Sequence, residues 1–223
     1  MAKVRTVTRD TGEGMAKIMR VFQKEVQAIA MESREDINGI ADALFYLGSA
    51  GLAADEQLAA LKPTITLVTA TKGDLVTTVR ALAGSYNTLR GTVEEATTAE
   101  EVFAHMADVI AYTFSKEEVL IGELAQGLKY VAGDAKAAGL SFDEVVAILG
   151  FLNTQLLKSG QAGRNLSQTF RQLISNSQKL AHELGITFPK DEPFNFLKVL
   201  FAISDRVEEL GGRSVRVEAA LSK

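Results

Sequence analysis

His105 and His182 are the only histidines in this chain, and it contains no cysteine. Glu101 precedes His105 by one helical turn, a spacing that could supply half of a metal site. No His-x-x-x-His or His-x-x-Glu partner accompanies it, so His105 is read as a satisfied or solvent-facing side chain. The lack of cysteine removes disulfides, thiolate metal ligands and cysteine nucleophiles. Lys158-Ser159-Gly160-Gln161-Ala162-Gly163 is similar in composition to a phosphate-binding loop. Its lysine precedes the glycines, however, and no strand leads into it, so it is read as a turn. No Gly-x-Ser-x-Gly elbow exists. The acid pairs Glu117/Glu118 and Glu208/Glu209 are adjacent in sequence and point in different directions, as helix-start charge and solvated surface respectively. The expectation is a protein that is not an enzyme, with no cofactor and no metal.

The surrounding elements are helical almost throughout. Ile18, Phe22, Val26 and Ile29 form one stripe, and Ile37, Ile40, Leu44 and Leu47 a second. Leu58 and Leu61 begin a third, which Pro63 is expected to kink or end. Further stripes are Leu75–Leu89, Phe103–Phe114 and Leu120–Val131, with a last one at Phe196, Leu200, Ile203, Val207 and Leu210. Residues 138–173 read as two amphipathic helices around an elbow at Ser159–Gly163. The first carries Phe142, Val145, Leu149, Leu152 and Leu156. The second carries Leu166, Phe170, Leu173, Leu180 and Leu184, with Ser177 in the remaining place. Only Val4–Thr8 alternates like a short strand. The fold class is therefore all-α, an array of about eight to ten short amphipathic helices packed as helical hairpins.

Punctuation supports that reading. Thr98 with Glu101, Ser115 with Glu118 and Ser141 with Glu144 have capping-box spacing, and Ser33 with Asp36 is a weaker version. Gly51, Gly73, Gly91, Gly139 and Gly185 fall between stripes, where helix-ending glycines belong. Gly122, Gly127 and Gly150 lie inside helical patterns. They mark either close helix–helix packing or conformational lability. An internal echo aligns Ala50–Leu61 with Ala138–Leu149, 88 positions later, with identities at Ala-Gly-Leu, Asp-Glu, one Ala and the last Leu. Two half-repeats of a helical array would explain it, as would convergence of capped helix starts.

Hydrophobic residues make up 47% of the 223, which suffices for a real core, and charged residues make up 23%. Three prolines and no long Ser- or Gly-rich tract argue against a disordered linker. The net charge of −4 is unevenly spread: residues 1–30 hold six Lys/Arg against three Asp/Glu, and residues 91–124 hold one against eight. The acidic stretch disfavours nucleic-acid binding. The basic start is read as a solvated helix face or a partner contact. Neither a signal peptide nor a membrane span is visible; Val145–Leu152 is far shorter than the ~20 residues needed.

The wording of residues 138–173 resembles the core region of phage tail tape measure proteins. It has Gly139, Leu140 and Ser141 after Ala138, the acidic pair Asp143 and Glu144, the small residues Gly160, Ala162 and Gly163, and a Leu-rich helix from Leu166. Further pieces in family order are Ala43–Leu52, Thr69-Ala70-Thr71 with Asp74-Leu75, and Leu184-Gly185-Ile186. Together they extend the resemblance over roughly residues 33–221. Charge and spacing mark a basic N-terminal segment and first helix over 1–32, and the resemblance implies a tape-measure-like helical core over 33–223. It also implies a structural scaffold inside the tail tube of a phage or phage-derived tail, setting tail length and templating tube assembly. The implied partners are further copies of the chain as a homo-oligomer, the tail tube protein, distal tail or tip proteins and tail assembly chaperones. The implied location is the tube lumen of the virion tail, after assembly in the bacterial host cytoplasm. Family members often carry membrane spans and often continue past this point with a Leu-Phe-Gly segment, so Ala220–Lys223 suggests a cut from a longer protein. A cytoplasmic helical adaptor that binds a partner protein is the alternative.

Overall fold

In a computed structural model, residues 13–33, 35–93, 96–117, 120–154, 159–184 and 194–209 are described. Among them the chain forms nine α-helices, one 3-10 turn and no strand. The helices are α1 (Glu13–Ser33), α2 (Ile37–Ser49), α3 (Ala54–Thr71), α4 (Leu75–Leu89), α5 (Ala99–Glu117), α6 (Ile121–Ala137), α7 (Phe142–Thr154), α8 (Ser159–Leu184) and α9 (Phe196–Glu209), with the 3-10 turn at Arg90–Thr92 between α4 and α5.

The expected stripes become the core. On α4, Leu75, Val79, Leu82, Tyr86 and Leu89 are all buried, because spacings of three and four place them on one face. Asp74 starts this helix by accepting from the Thr77 amide at 2.7 Å. From α1 to α6, each helix packs on the one two places further along the chain, giving two layers: α1, α3, α5, α7 and α2, α4, α6, α8. Most consecutive helices also touch, and α9 rests on α8. Phe22, Phe103, Phe142 and Phe170, on α1, α5, α7 and α8, are fully buried in one continuous core. Tyr86 lies against Phe103 with ring centroids 5.1 Å apart, fastening α4 to α5. The all-α array read from the sequence is the observed architecture.

Several finer expectations fail, each for a physical reason. Pro63 lies inside α3, which runs unbroken to Thr71. Leu61, Thr64, Ile65, Leu67 and Val68 bury on both sides of the proline, and that burial outweighs one lost backbone bond. Ser33 is not an N-cap: it ends α1, its hydroxyl donating to the Ile29 carbonyl at 2.6 Å. Asp36 caps α2 instead, accepting from the amides of Asn38 and Gly39. Ser115 lies within α5, donating to the Tyr112 carbonyl at 2.7 Å. The residues Ser159–Gly163 form the first turn of α8 and not an elbow. At the stripe ends, Ile37 and Leu120 are half-exposed or more. On α9 the buried face runs through Phe196 and Val199 while Leu200 is 45% exposed. The readings of Val4–Thr8, Gly185 and Leu156 lie outside the described residues, as do those of the side chains of Leu180, Leu184, Val207 and Leu210.

The internal echo has a structural counterpart. Gly51 and Gly139 both take positive φ, 94° and 71°, the left-handed turn that ends α2 and α6. The next residue donates five residues back in both places, Leu52 to Leu47 at 3.3 Å and Leu140 to Ala135 at 3.0 Å. Both leucines are buried. Glu56 and Glu144 then each accept the amide three residues earlier, from Ala53 at 2.7 Å and Ser141 at 2.8 Å. The pair α2–α3 thus repeats as α6–α7, with α4 on α2 as α8 is on α6.

Candidate functional site

The residues carrying the family resemblance gather at the α6–α7 junction and the first half of α8. Gly139 turns the chain at φ 71°, and a Cβ there would lie 2.5 Å from the Phe194 carbonyl oxygen, so both conformation and space require glycine. The segment before α9 is bound on this turn: the Phe196 amide donates to the Ala138 carbonyl at 2.8 Å, and Asn195 Nδ2 to the Gly139 carbonyl at 3.4 Å. Leu140 plugs the core. The capping box closes in both directions, with the Ser141 amide donating to Glu144 Oε2 at 2.8 Å and the Glu144 amide to Ser141 Oγ at 3.2 Å. The Phe142 amide donates to Thr92 Oγ1 at 3.1 Å, tying α7 to the turn after α4.

Asp143 meets His105: Nε2 and Oδ1 are 2.8 Å apart, with the side chains 37% (His105) and 49% (Asp143) exposed. His105 is thus satisfied by a carboxylate from another helix. Glu101 is not available to it, since its Oε2 accepts from the amides of Thr97 and Thr98 at 2.8 and 3.0 Å. Those bonds, with the Thr97 and Thr98 hydroxyls, pull the Glu101 carboxyl down to about 2. No group of three His, Asp or Glu side chains that could hold a metal occurs among the described residues.

On α8, Ala162 is fully buried and Leu166 nearly so. Gly163 crosses Gly127 of α6 so closely that a Cβ would lie 2.5 Å from the Gly127 carbonyl oxygen. At Gly160 a Cβ would lie 3.0 Å from Gln126 Oε1. Ser167 donates to Asp134 of α6, and Arg171 Nε stands 3.8 Å from the same carboxylate. Phe170 meets Phe196 edge to face at 4.8 Å. Gly127 and Gly150 are thus packing glycines, Gly150 lying against Thr113 on α5, whereas a Cβ at Gly122 would touch nothing. The sequence reading did not single out Thr92, Gln126, Asp134 or Asn195, whose partners are 33 to 56 residues away or on a separate helix; nothing in their local sequence announces those contacts.

Apart from Asp143, which pairs with His105 across two helices, the described family-motif residues cap, turn or pack. The arrangement is a stack of helical pairs, a repeat-like architecture. The family model described as phage-related minor tail protein matches residues 23–220, and the chain belongs to that family. It is similar to a tape measure protein of Pneumococcus phage Dp-1, 27% identical over 191 residues. That match covers 84% of this chain and 16% of the relative, so the chain spans about a sixth of the curated relative's length. No solved structure matches it. The resemblance read from residues 138–173 is borne out, and with it a structural role in a phage tail. No helix among the described residues is long and apolar enough to cross a membrane.

Proposed function

We propose that this chain acts inside the tube of a phage or phage-derived tail as a tape measure, setting tail length and templating tube assembly. The observation that carries this reading is the match to a tape measure protein over 84% of the chain. The fold supports it in a second way. Most helix contacts join neighbours one or two places along the sequence, so the array can be compact before assembly and drawn out along a tube with few distant segments to disentangle. Fully drawn out as one helix, 223 residues would reach roughly 335 Å at ~1.5 Å per residue. In this reading, residues 33–223 are the tape-measure-like helical core, preceded by the basic segment and first helix of residues 1–32. Further copies, the tube protein, distal tail or tip proteins and assembly chaperones are the partners, met in the host cytoplasm during assembly.

The test is an in-frame deletion of residues 37–71, the α2–α3 pair, followed by electron microscopy of purified tails. Tails shorter by roughly 50 Å are expected, from ~1.5 Å per deleted residue. Tails of unchanged length that still contain the deleted protein remove the ruler role. A second reading, a helical adaptor, is favoured by one observation: a groove of about 700 Å³ over α3, bordered by Ile29, Pro63 and Ala104. Absence of the chain from purified tails would favour the adaptor.

A further inference from the structure

The two equivalent helical pairs, α2–α3 and α6–α7, differ at matched positions, and the differences point one way. Residues 57 and 145 hold the same place on α3 and α7, 88 positions apart. Both are fully buried, but one is Gln57 and the other Val145. Gln57 Nε2 donates to the Leu52 carbonyl at 2.9 Å, while its Oε1 has no hydrogen-bond partner among the described residues. A buried acceptor left unpaired keeps its desolvation penalty, which a valine does not carry. At the helix start, Ser141 Oγ accepts from the Glu144 amide. Its counterpart Ala53 offers no side-chain acceptor, so that cap is missing. In the next place Phe142 fills the core, where Ala54 is a small side chain only half-buried.

The ties from outside are equally one-sided. Phe196 and Asn195 donate to the carbonyls of Ala138 and Gly139, and Thr92 accepts from the Phe142 amide. Among the described residues, none distant in sequence hydrogen-bonds to Ala50, Gly51 or Ala54. Inside α3, Pro63 removes a backbone bond, and its counterpart on α7 is Phe151. We infer that α2–α3 is a built-in point of opening, a pair that detaches in a local, cooperative unfolding while α6–α7 stays folded. Burial of Leu61, Leu67 and Val68 keeps it closed at rest. The orphaned Gln57, the missing cap, the proline and the unclasped turn lower the free energy of release. This device belongs to the free, folded chain and is independent of length control, which is read from tails.

Native-state hydrogen exchange of the 223-residue chain, resolved by mass spectrometry of its peptides, tests the device. Amides of α2–α3 should be at least about tenfold less protected than those of α6–α7. Ser141→Ala, which removes the cap of α7, should lower protection of α6–α7 about fivefold and leave that of α2–α3 unchanged, because α6–α7 remains folded when α2–α3 opens. Gln57→Val with Ala53→Ser copies the second pair into the first and should raise protection of α2–α3 about tenfold. Pro63→Ala should raise it by a second route. Equal protection of the two pairs in the wild type overturns the inference. So does a fall in α2–α3 together with α6–α7 in Ser141→Ala, which would make them one unit, or the absence of any gain in both the Gln57→Val/Ala53→Ser and Pro63→Ala variants.

Discussion

Replacing Gly163 by alanine tests the packing of the family motif most directly. An added Cβ would sit 2.5, 2.8 and 3.0 Å from the carbonyl oxygen, Cα and carbonyl carbon of Gly127. All three are backbone atoms of a helix, so no rotamer change relieves the contact, and α6 and α8 must separate by about 1 Å. Overpacking of this kind costs about 1–3 kcal/mol, and a rigid backbone neighbour argues for the upper end. Alanine returns about 1 kcal/mol of helix propensity. The net loss is about 2 kcal/mol, a fall in Tm of roughly 4–8 °C for a domain of this size. Gly122→Ala is the control, because its Cβ touches nothing and only the propensity gain remains. Thermal melts followed by far-ultraviolet circular dichroism should place the two variants on opposite sides of wild type. If Gly163→Ala melts with or above Gly122→Ala, the close crossing of α6 and α8 is not a constraint and the reasoning fails.

Other substitutions probe the junction and the helix starts. Gly139→Ala should cost about 2 kcal/mol, since it forces an L-residue to positive φ and crowds the Phe194 carbonyl; a melt equal to wild type would contradict this. Pro63→Ala should raise stability by about 2 kcal/mol, the ~3 kcal/mol helix cost of proline less up to ~1 for a freer unfolded chain. A lower midpoint in urea would mean that the proline ring is needed where it borders the groove over α3. Glu101 carries a pH signature: its carboxyl is held at about 2 against an ordinary 4.5. Between those values the unfolded chain binds a proton that the folded chain does not, so its stabilising effect is complete above 4.5 and is lost as pH falls toward 2. Glu101→Gln should flatten that part of the stability profile, and a carboxyl titration by NMR with a midpoint near 4.5 would refute the cap.

Much of this molecule was legible because its helices are short and individually signed. The α4 stripe and the caps at Thr98 and Ser141 needed only spacing and side-chain chemistry, since both partners lie within four residues. The misreadings share a cause, namely residues whose local preference is overruled from a distance. Gly160 and Gly163 read as a turn, yet they are helical because α6 passes against them. Pro63 read as a kink or an end, yet α3 continues through it and the face around it is buried on neighbouring helices. Ser115 carries a start signal that α5 runs through. On α9, a spacing rule that favoured Leu200 could not foresee that Phe196 would lie against Phe170 and turn that side chain outward. At the motif itself, the cap and the left-handed glycine were readable, whereas the clasp by Asn195 and Phe196 was not.

The two-layer stacking bears on how such a chain answers a pull. Strands of a sheet loaded in shear give way together, but these helices are arranged like overlapping tiles, each held chiefly by the next one or two. Force applied at an end would lift them off in sequence, every released helix lengthening the thread by a similar increment. The glycine hinges after α2 and α6 fall at matching points in the two repeats, so the natural pauses in such an unwinding lie 88 residues apart.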